Sequence, residues 1–343
     1  MTSQPEPDFG VVSRLTTGIE TQAHREILAR CLTGTVSPAV ALMRLLIDTE
    51  DAGAVRAMVD EVTSRAASVS RATDSLLRDR VDDLTQLVIE NEPGCEKIAA
   101  MLRANVDSDE PAATVEEGIA FCERLFDWSV QQSEEASVAL YSLGNPQLLE
   151  RATREVITQL ELWNVISRDH VVLDIGCGIG RIAAELSPRV REVHGIDVSA
   201  RMIDAALRRC SPLGNVRVMK SSGRDLREFP DASFDTAIAV DTFPYIHQSG
   251  AALISAFFSE SARVLRRGGD LVILNYSYSD DDAADIAEVK RLAEMNGFDV
   301  LVSGERPFTI WDGLAFHLRK RKATSAPESQ VPRGAGSSTL AGD

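Results

Sequence analysis

The stretch Val171-Val172-Leu173-Asp174-Ile175-Gly176-Cys177-Gly178-Ile179-Gly180 reads as a buried strand that ends in an acid and a glycine turn. Its aliphatic, β-branched run suits a strand of a parallel sheet covered on both faces. The glycines let the backbone turn sharply and approach a ligand where a Cβ would collide. Arg181-Ile182-Ala183-Ala184-Glu185-Leu186 then opens a helix whose first amide groups face the same crevice. That crevice lies at the carboxyl end of the first strand, the usual ligand position in open α/β sheets.

Spacing narrows the choice of ligand. A dinucleotide fingerprint reads G-x-G-x-x-G, whereas here the third glycine falls at Gly180 and Arg181 follows it. Asp174, just before the glycines, would repel a pyrophosphate and suits a ligand carrying an amino group. A second acid, Asp197, closes the next apolar run, Val193-His194-Gly195-Ile196, at roughly the 20-residue distance at which a carboxylate meets a ribose diol. An adenosyl cofactor with an amino acid end fits this pattern. Further on, Val216-Arg217-Val218-Met219-Lys220 reads as a third strand, followed by Ser222-Gly223-Arg224-Asp225-Leu226. The turn Phe229 to Asp235 precedes a fourth strand, Thr236 to Val240. Ala262 to Gly269 reads as a helix and turn before a fifth strand, Leu271 to Leu274.

In this order the segments resemble the class I S-adenosylmethionine (SAM) dependent methyltransferases over about the C-terminal half of the chain. The resemblance implies a Rossmann-like α/β sheet, mostly parallel with an antiparallel last strand, in a methyltransferase domain over residues 136–322. It implies SAM as cofactor, with Gly176, Gly178 and Gly180 along its methionine and ribose portion, Asp197 on the ribose hydroxyls and Val198 against the adenine. Asp174 would serve the amino acid end. Ser222 and Gly223 would meet the adenine edge, although many members carry an acid where this chain has Ser222. Asp241 would hold either the methionine amino group or a cationic acceptor.

Residues 1–135 have a different texture. From about Gly18 to Asn105 apolar residues recur at helical spacing, with Val55, Val59, Val62, Val69, Leu76, Leu77, Val81, Leu84 and Val88 in one stripe. Pro38, Pro93 and Pro111 punctuate this region, and Asp107-Ser108-Asp109-Glu110-Pro111 reads as a loop. A further helix runs through Val115 to Trp128. The expectation is an all-α N-terminal domain, serving as a lid over the substrate or as a homodimer interface. Residues 323–343, rich in Ser, Pro, Gly and Ala, are expected to be a disordered tail.

Composition agrees with a soluble, cytoplasmic enzyme. The 343 residues are 44% hydrophobic and 26% charged, ordinary globular usage with room for about two domains. No apolar run reaches the length of a membrane span, and Met1-Thr2-Ser3-Gln4-Pro5 lacks the pattern of a signal peptide. The 5 cysteines show neither a C-x-x-C pair nor disulfide density, so they read as reduced core or turn residues, Cys177 included. A net charge of -16 disfavours nucleic acid as partner. Arg208-Arg209 and Arg266-Arg267 read as helix-end charges, and Arg319-Lys320-Arg321-Lys322 leads into the tail. The histidines have no metal-ligand spacing, and Asp280-Asp281-Asp282 reads as a helix cap, so no metal is expected.

Methyl transfer from a sulfonium asks mainly for alignment, with a base only where the acceptor must lose a proton. Three of the 4 tyrosines, Tyr245, Tyr276 and Tyr278, follow the fourth and fifth strands, and Tyr141 lies before the catalytic domain's first helix. Phe243, Phe308 and Trp311 are candidate apolar walls. His247 is the candidate base and Tyr245 the candidate hydrogen-bond partner of the acceptor. The expected reaction is transfer of methyl to an oxygen or nitrogen of a small molecule. A SAM-binding regulatory or assembly protein without turnover is the alternative, and a nicotinamide dehydrogenase is disfavoured by Asp174 and Arg181.

Overall fold

A computed structural model describes residues 9–68, 75–104, 113–279 and 281–322. The expected tail, the loop at 107–111, and Val69, Asn105 and Asp280 therefore lie outside the described residues. The centre of the fold is a seven-stranded sheet built from β1 (Val171–Ile175), β2 (Glu192–Asp197), β3 (Val216–Lys220), β4 (Phe234–Val240), β5 (Leu265–Leu274), β6 (Phe298–Glu305) and β7 (Ala315–Lys320). Its order is β3-β2-β1-β4-β5-β7-β6. Chain order reverses at β1, where β2 lies on one side and β4 on the other, so the crevice beyond β1 is the switch point at which such sheets bind ligands. The last strand, β7, runs antiparallel to both neighbours, and the other strands share one direction.

Alternation along the strands feeds two cores. Val172, Val193, Ile238 and Val272 point to one face, where they join α9 (Pro146–Leu162), α10 (Arg181–Leu186) and α11 (Ala200–Cys210). Leu173, Ile175, Ala237 and Ile273 point to the other, packed by α13 (Ala251–Val264) and α14 (Asp282–Met295). One departure from the sequence reading is β5, which starts at Leu265. Arg266 and Arg267 are thus strand residues, with Gly268 in left-handed backbone (φ 81°) and a register shift opposite Phe234 and Thr236.

The N-terminal part is helical throughout its described residues: α1 (Phe9–Thr16), α2 (Gln22–Thr33), α3 (Pro38–Thr49), α4 (Ala52–Ala67), α5 (Ser75–Glu90) and α6 (Glu92–Ala104). Pro38 and Pro93 stand at helix starts, where a missing amide costs nothing, and the Ser37 hydroxyl caps α3 by accepting from Val40 N. Six residues of α3 are buried, Ala39 to Leu42 plus Leu45 and Leu46, which makes it the central helix of the group. The apolar cluster around α3 continues without a break through Tyr141 and Leu149 to Trp311 and the sheet. After it come α7 (Val115–Gln132), opened by a Thr114/Glu117 capping box, α8 (Glu134–Val138), and a 3-10 turn at Leu140–Ser142. The segment after β4 folds as a short helix, α12 (Phe243–Gln248). No helix among the described residues is long and apolar enough to cross a membrane.

Candidate active site

At the carboxyl edge of β1, β2, β4 and β5 lies a cavity of about 1000 Å³. Its floor is the glycine turn. Gly176 and Gly178 adopt left-handed backbone, φ 71° and 52°, and a Cβ on Gly176 would stand 2.3 Å from Thr242 Oγ1. Gly180, also left-handed at φ 73°, is not in the cavity wall. It begins α10 and packs on α11, where a Cβ would come within 3.1 Å of Ala206 and Cys210.

Asp197, at the end of β2, lines the cavity and is held in place by main-chain amides. Gly178 N donates to Oδ2 and Ser199 N to Oδ1, both at 2.9 Å. Burial pushes its carboxyl up to about 6, against those amides, which favour the charged form. Val198 and Gly223 line the same end and touch each other, since a Cβ on Gly223 would meet Val198 at 2.6 Å and Ile119 of α7 at 3.1 Å. Ser222 does not join them: it is exposed, and its hydroxyl accepts from Arg224 N at 3.2 Å. Its neighbour Ser221 is in the wall instead. Asp174 lies behind the floor, fully buried, with Oδ2 unpartnered among the described residues, and burial pushes its carboxyl up to about 7. Arg181 stands near it, buried, donating to Thr153 Oγ1 at 2.9 Å and to the Tyr141 hydroxyl at 3.4 Å.

The opposite end of the cavity is aromatic and polar. Asp241, Tyr245, Asn275 and Tyr278 converge there, joined by hydrogen bonds between their side chains. Tyr141 and Trp311 line a further wall, stacked with centroids 5.6 Å apart, and Phe308 stacks on the far side of Trp311 at 5.3 Å. Tyr276 and Phe243, in contrast, are buried in the core beneath the site. His247 corrects the sequence reading. It does not line the cavity, lies 3.7 Å from Glu288 of α14 and sets its ring edge-on to Tyr276. At 3.6 residues per turn, Tyr245 and His247 stand about 200° apart around α12, so only one of them can face the cavity.

The roof comes from the helical region. Ile27 of α2, Met43 and Arg44 of α3, and Ile119, Cys122 and Phe126 of α7 all line the cavity. Sequence reading had no signal for these, because each lies far along the chain from the glycine turn. The rim is crossed by Arg44 to Asp312 at 2.8 Å and by Arg306 to Asp282 at 2.7 and 2.8 Å. Asp281 caps α14 by accepting from Ala284 N, and among the described residues no group of His, Cys, Asp or Glu is placed to hold a metal. All five cysteines are free and buried, and burial raises the Cys177 thiol well above its ordinary value.

A model of the methyltransferase domain matches residues 172–269. Similar curated proteins include a demethylmenaquinone methyltransferase of Tropheryma whipplei, 36% identical over 107 residues, which cover 31% of this chain and 42% of that one. A phosphatidylethanolamine N-methyltransferase of Cereibacter sphaeroides is 35% identical over 115 residues, 33% of this chain and 54% of that one. An O-methyltransferase of Pyrenophora dematioidea is 30% identical over 160 residues, 46% of this chain and 56% of that one. The chain thus spans about half the length of the curated relatives it matches. Among solved structures, Haemonchus contortus phosphoethanolamine N-methyltransferase 1 with phosphoethanolamine and S-adenosylhomocysteine aligns at a TM-score of 0.49 and 19% identity, over 63% of this chain and 52% of that one.

Proposed function

We propose that the chain, whose residues 172–269 match the methyltransferase domain family, is a class I SAM-dependent methyltransferase that transfers a methyl group to an oxygen or nitrogen of a small molecule. The observation that carries this reading is the shape of one cavity. The glycine turn after β1 lies between Asp197, at the end of β2, and the polar aromatic chamber that follows β4 and β5, so donor and acceptor would meet inside it. The residues present fit SAM. Gly176, Gly178 and Gly223 line the cavity in left-handed backbone, where a Cβ would collide with Thr242, Val138 and Val198, Asp197 offers a charged acceptor for a diol, and Asp174 keeps a buried oxygen without a partner. When bound, the cofactor supplies an activated methyl group on a sulfonium.

In this reading Gly176 and Gly178 allow close approach along the amino acid and ribose portion, Asp197 orients the ribose, and Val198 with Gly223 flanks the adenine. Asp174, with Arg181 beside it, sets the charge behind the amino acid end. Tyr245 and Tyr278 orient the acceptor, and the walls from α2, α3 and α7 exclude water from it. The helical region is then a wall of the site rather than a surface for a second copy. A small acceptor also agrees with the basic residues near the C-terminus, since Arg319 is paired with Asp270, and Arg321 with Glu294 and Asp299. Free cysteines suit the reducing cytoplasm.

Calorimetric titration of the full chain with SAM, S-adenosylhomocysteine and NAD tests the cofactor. Binding of the first two and not of NAD is expected, and Asp197→Ala should weaken both by about 1–3 kcal/mol, the range for hydrogen bonds to a charged group. Tight NAD binding without a SAM signal contradicts the reading.

A further inference from the structure

The acceptor end of the cavity holds a carboxylate without a cation. Asp241 and Asn275 follow the ends of β4 and β5 side by side, and both sit in left-handed backbone, φ 58° and 70°. That conformation is costly for residues with a Cβ and persists where the surroundings enforce it, often at functional sites. Here the enforcement is main-chain: Asp241 N donates to Leu274 O and Asn275 N to Leu314 O, both at 2.8 Å. The result puts both residues in the cavity wall, where Asn275 Nδ2 donates to Asp241 Oδ1 at 2.8 Å. The Tyr278 hydroxyl donates to the same oxygen at 3.2 Å and lies 3.3 Å from the Tyr245 hydroxyl, whose hydrogen it accepts.

All of these partners are neutral. Of the other acids of this chamber, Asp312 pairs with Arg44 and Asp282 with Arg306, while Asp285 is held by the Ser277 and Ser279 hydroxyls, away from the aromatic pair Tyr245 and Tyr278. Among the described residues Asp241 forms no ion pair, and Oδ2 has no protein partner. Arg181, whose field reaches it, is held by Thr153 and Tyr141. Around the carboxylate stand aromatic rings, with Phe126 edge-on to Tyr245 at 4.8 Å and Tyr245 edge-on to Tyr278 at 5.7 Å. A lone carboxylate walled by electron-rich rings attracts a cation.

We propose that the methyl acceptor is an amine, held as its ammonium form by Asp241 between Tyr245 and Tyr278. This rests on the methyltransferase reading and chooses nitrogen over oxygen within it. For transfer, the ammonium gives one proton to the Asp241 carboxylate. The freed nitrogen lone pair forms the new N–C bond to the methyl group of SAM, while the electrons of the broken C–S bond stay on sulfur as S-adenosylhomocysteine. The product leaves as a methylated ammonium ion, and the carboxyl returns its proton to solvent. Burial raises the Asp241 carboxyl, which brings its proton affinity closer to that of an amine held beside it.

The test uses three probes of one shape and different charge. The full chain, saturated with S-adenosylhomocysteine, is titrated calorimetrically near neutral pH with benzylamine, benzyl alcohol and benzoate. Benzylamine should bind at least about tenfold tighter than the alcohol, with benzoate weakest. Asp241→Asn, which keeps an oxygen for Asn275, should erase that preference, and Tyr278→Phe should reduce it in a chain that keeps all its charges. Equal binding of amine and alcohol, or no binding of benzylamine, overturns the proposal. Tightest binding of benzoate also overturns it and assigns the chamber to Arg44 and Arg306 as an anion site. If Asp241→Asn weakens S-adenosylhomocysteine instead of the amine, Asp241 belongs to the cofactor end. Failure of the parent chain to bind S-adenosylhomocysteine is a separate result and removes the methyltransferase reading itself.

Discussion

Tyr245 and His247 are two positions apart in α12 and carry opposite expectations. Tyr245 has its hydroxyl against that of Tyr278 in the cavity wall, whereas His247 faces Glu288 and the ring of Tyr276 outside it. A group positioned on the acceptor contributes about 100-fold or more to rate when it moves a proton, and less when it only orients. Tyr245→Phe should therefore lower turnover by roughly 10- to 100-fold with SAM affinity nearly intact. His247→Ala should leave turnover within about twofold, because the residue touches neither ligand end. Steady-state rates with an identified acceptor check both. Loss of turnover in the histidine variant alone would reinstate it as the base and would require α12 to turn in the working enzyme. The pair also marks a limit of reading residues from sequence. Spacing put both near the right strand end, but the helical phase of a six-residue segment starting at Phe243-Pro244 decides which one faces inward. As a loop, the same segment would have left that choice open.

At the scale of elements, the parts legible in sequence were those written in local pattern. β1 opens on the apolar run Val171 to Leu173 and β4 closes on Ala237 to Val240 because helices cover both faces, and the glycine turn follows β1 directly. Capping residues mark helix starts in the same local way, as Thr114 with Glu117 does for α7. The roof was not legible, because what brings α7 over the crevice is a set of contacts between residues about seventy to a hundred positions apart. Asp127 Oδ1 accepts from Ser199 Oγ at 2.6 Å and from Arg201 N at 3.0 Å, so a residue of α7 caps the first turn of α11. Glu116 pairs with Arg224 at 3.1 Å, and Glu123 pairs with Lys220. The exposed pairs add little each, while the cap satisfies amides at the edge of the cofactor end. Asp127→Ala should therefore loosen α7. The expected outcome is faster hydrogen exchange across 115–132 and a several-fold faster release of S-adenosylhomocysteine in stopped-flow displacement, with the sheet's protection unchanged. Unchanged release would mean that α7 stays closed through its apolar contacts, Ile119 and Phe126 among them.

At the scale of the whole molecule, function and packing have one geometry. The sheet provides the edge, and the helical region provides a roof that shares its core with one face of that sheet. A single cavity of about 1000 Å³ between them has an acid-and-glycine end and an aromatic end. Two protein classes share the first end, a methyltransferase and a SAM-binding protein without turnover, and only the second end separates them. The most direct measurement is incubation of the purified full chain with SAM labelled in its methyl group and a metabolite extract, followed by separation of the products. The account predicts label in a small molecule, with S-adenosylhomocysteine formed in equal amount, and both lowered by roughly 50-fold or more at limiting SAM in the Asp197→Ala and Tyr245→Phe double variant. Tight SAM binding with no labelled acceptor and no S-adenosylhomocysteine, across extracts of varied origin, would contradict it.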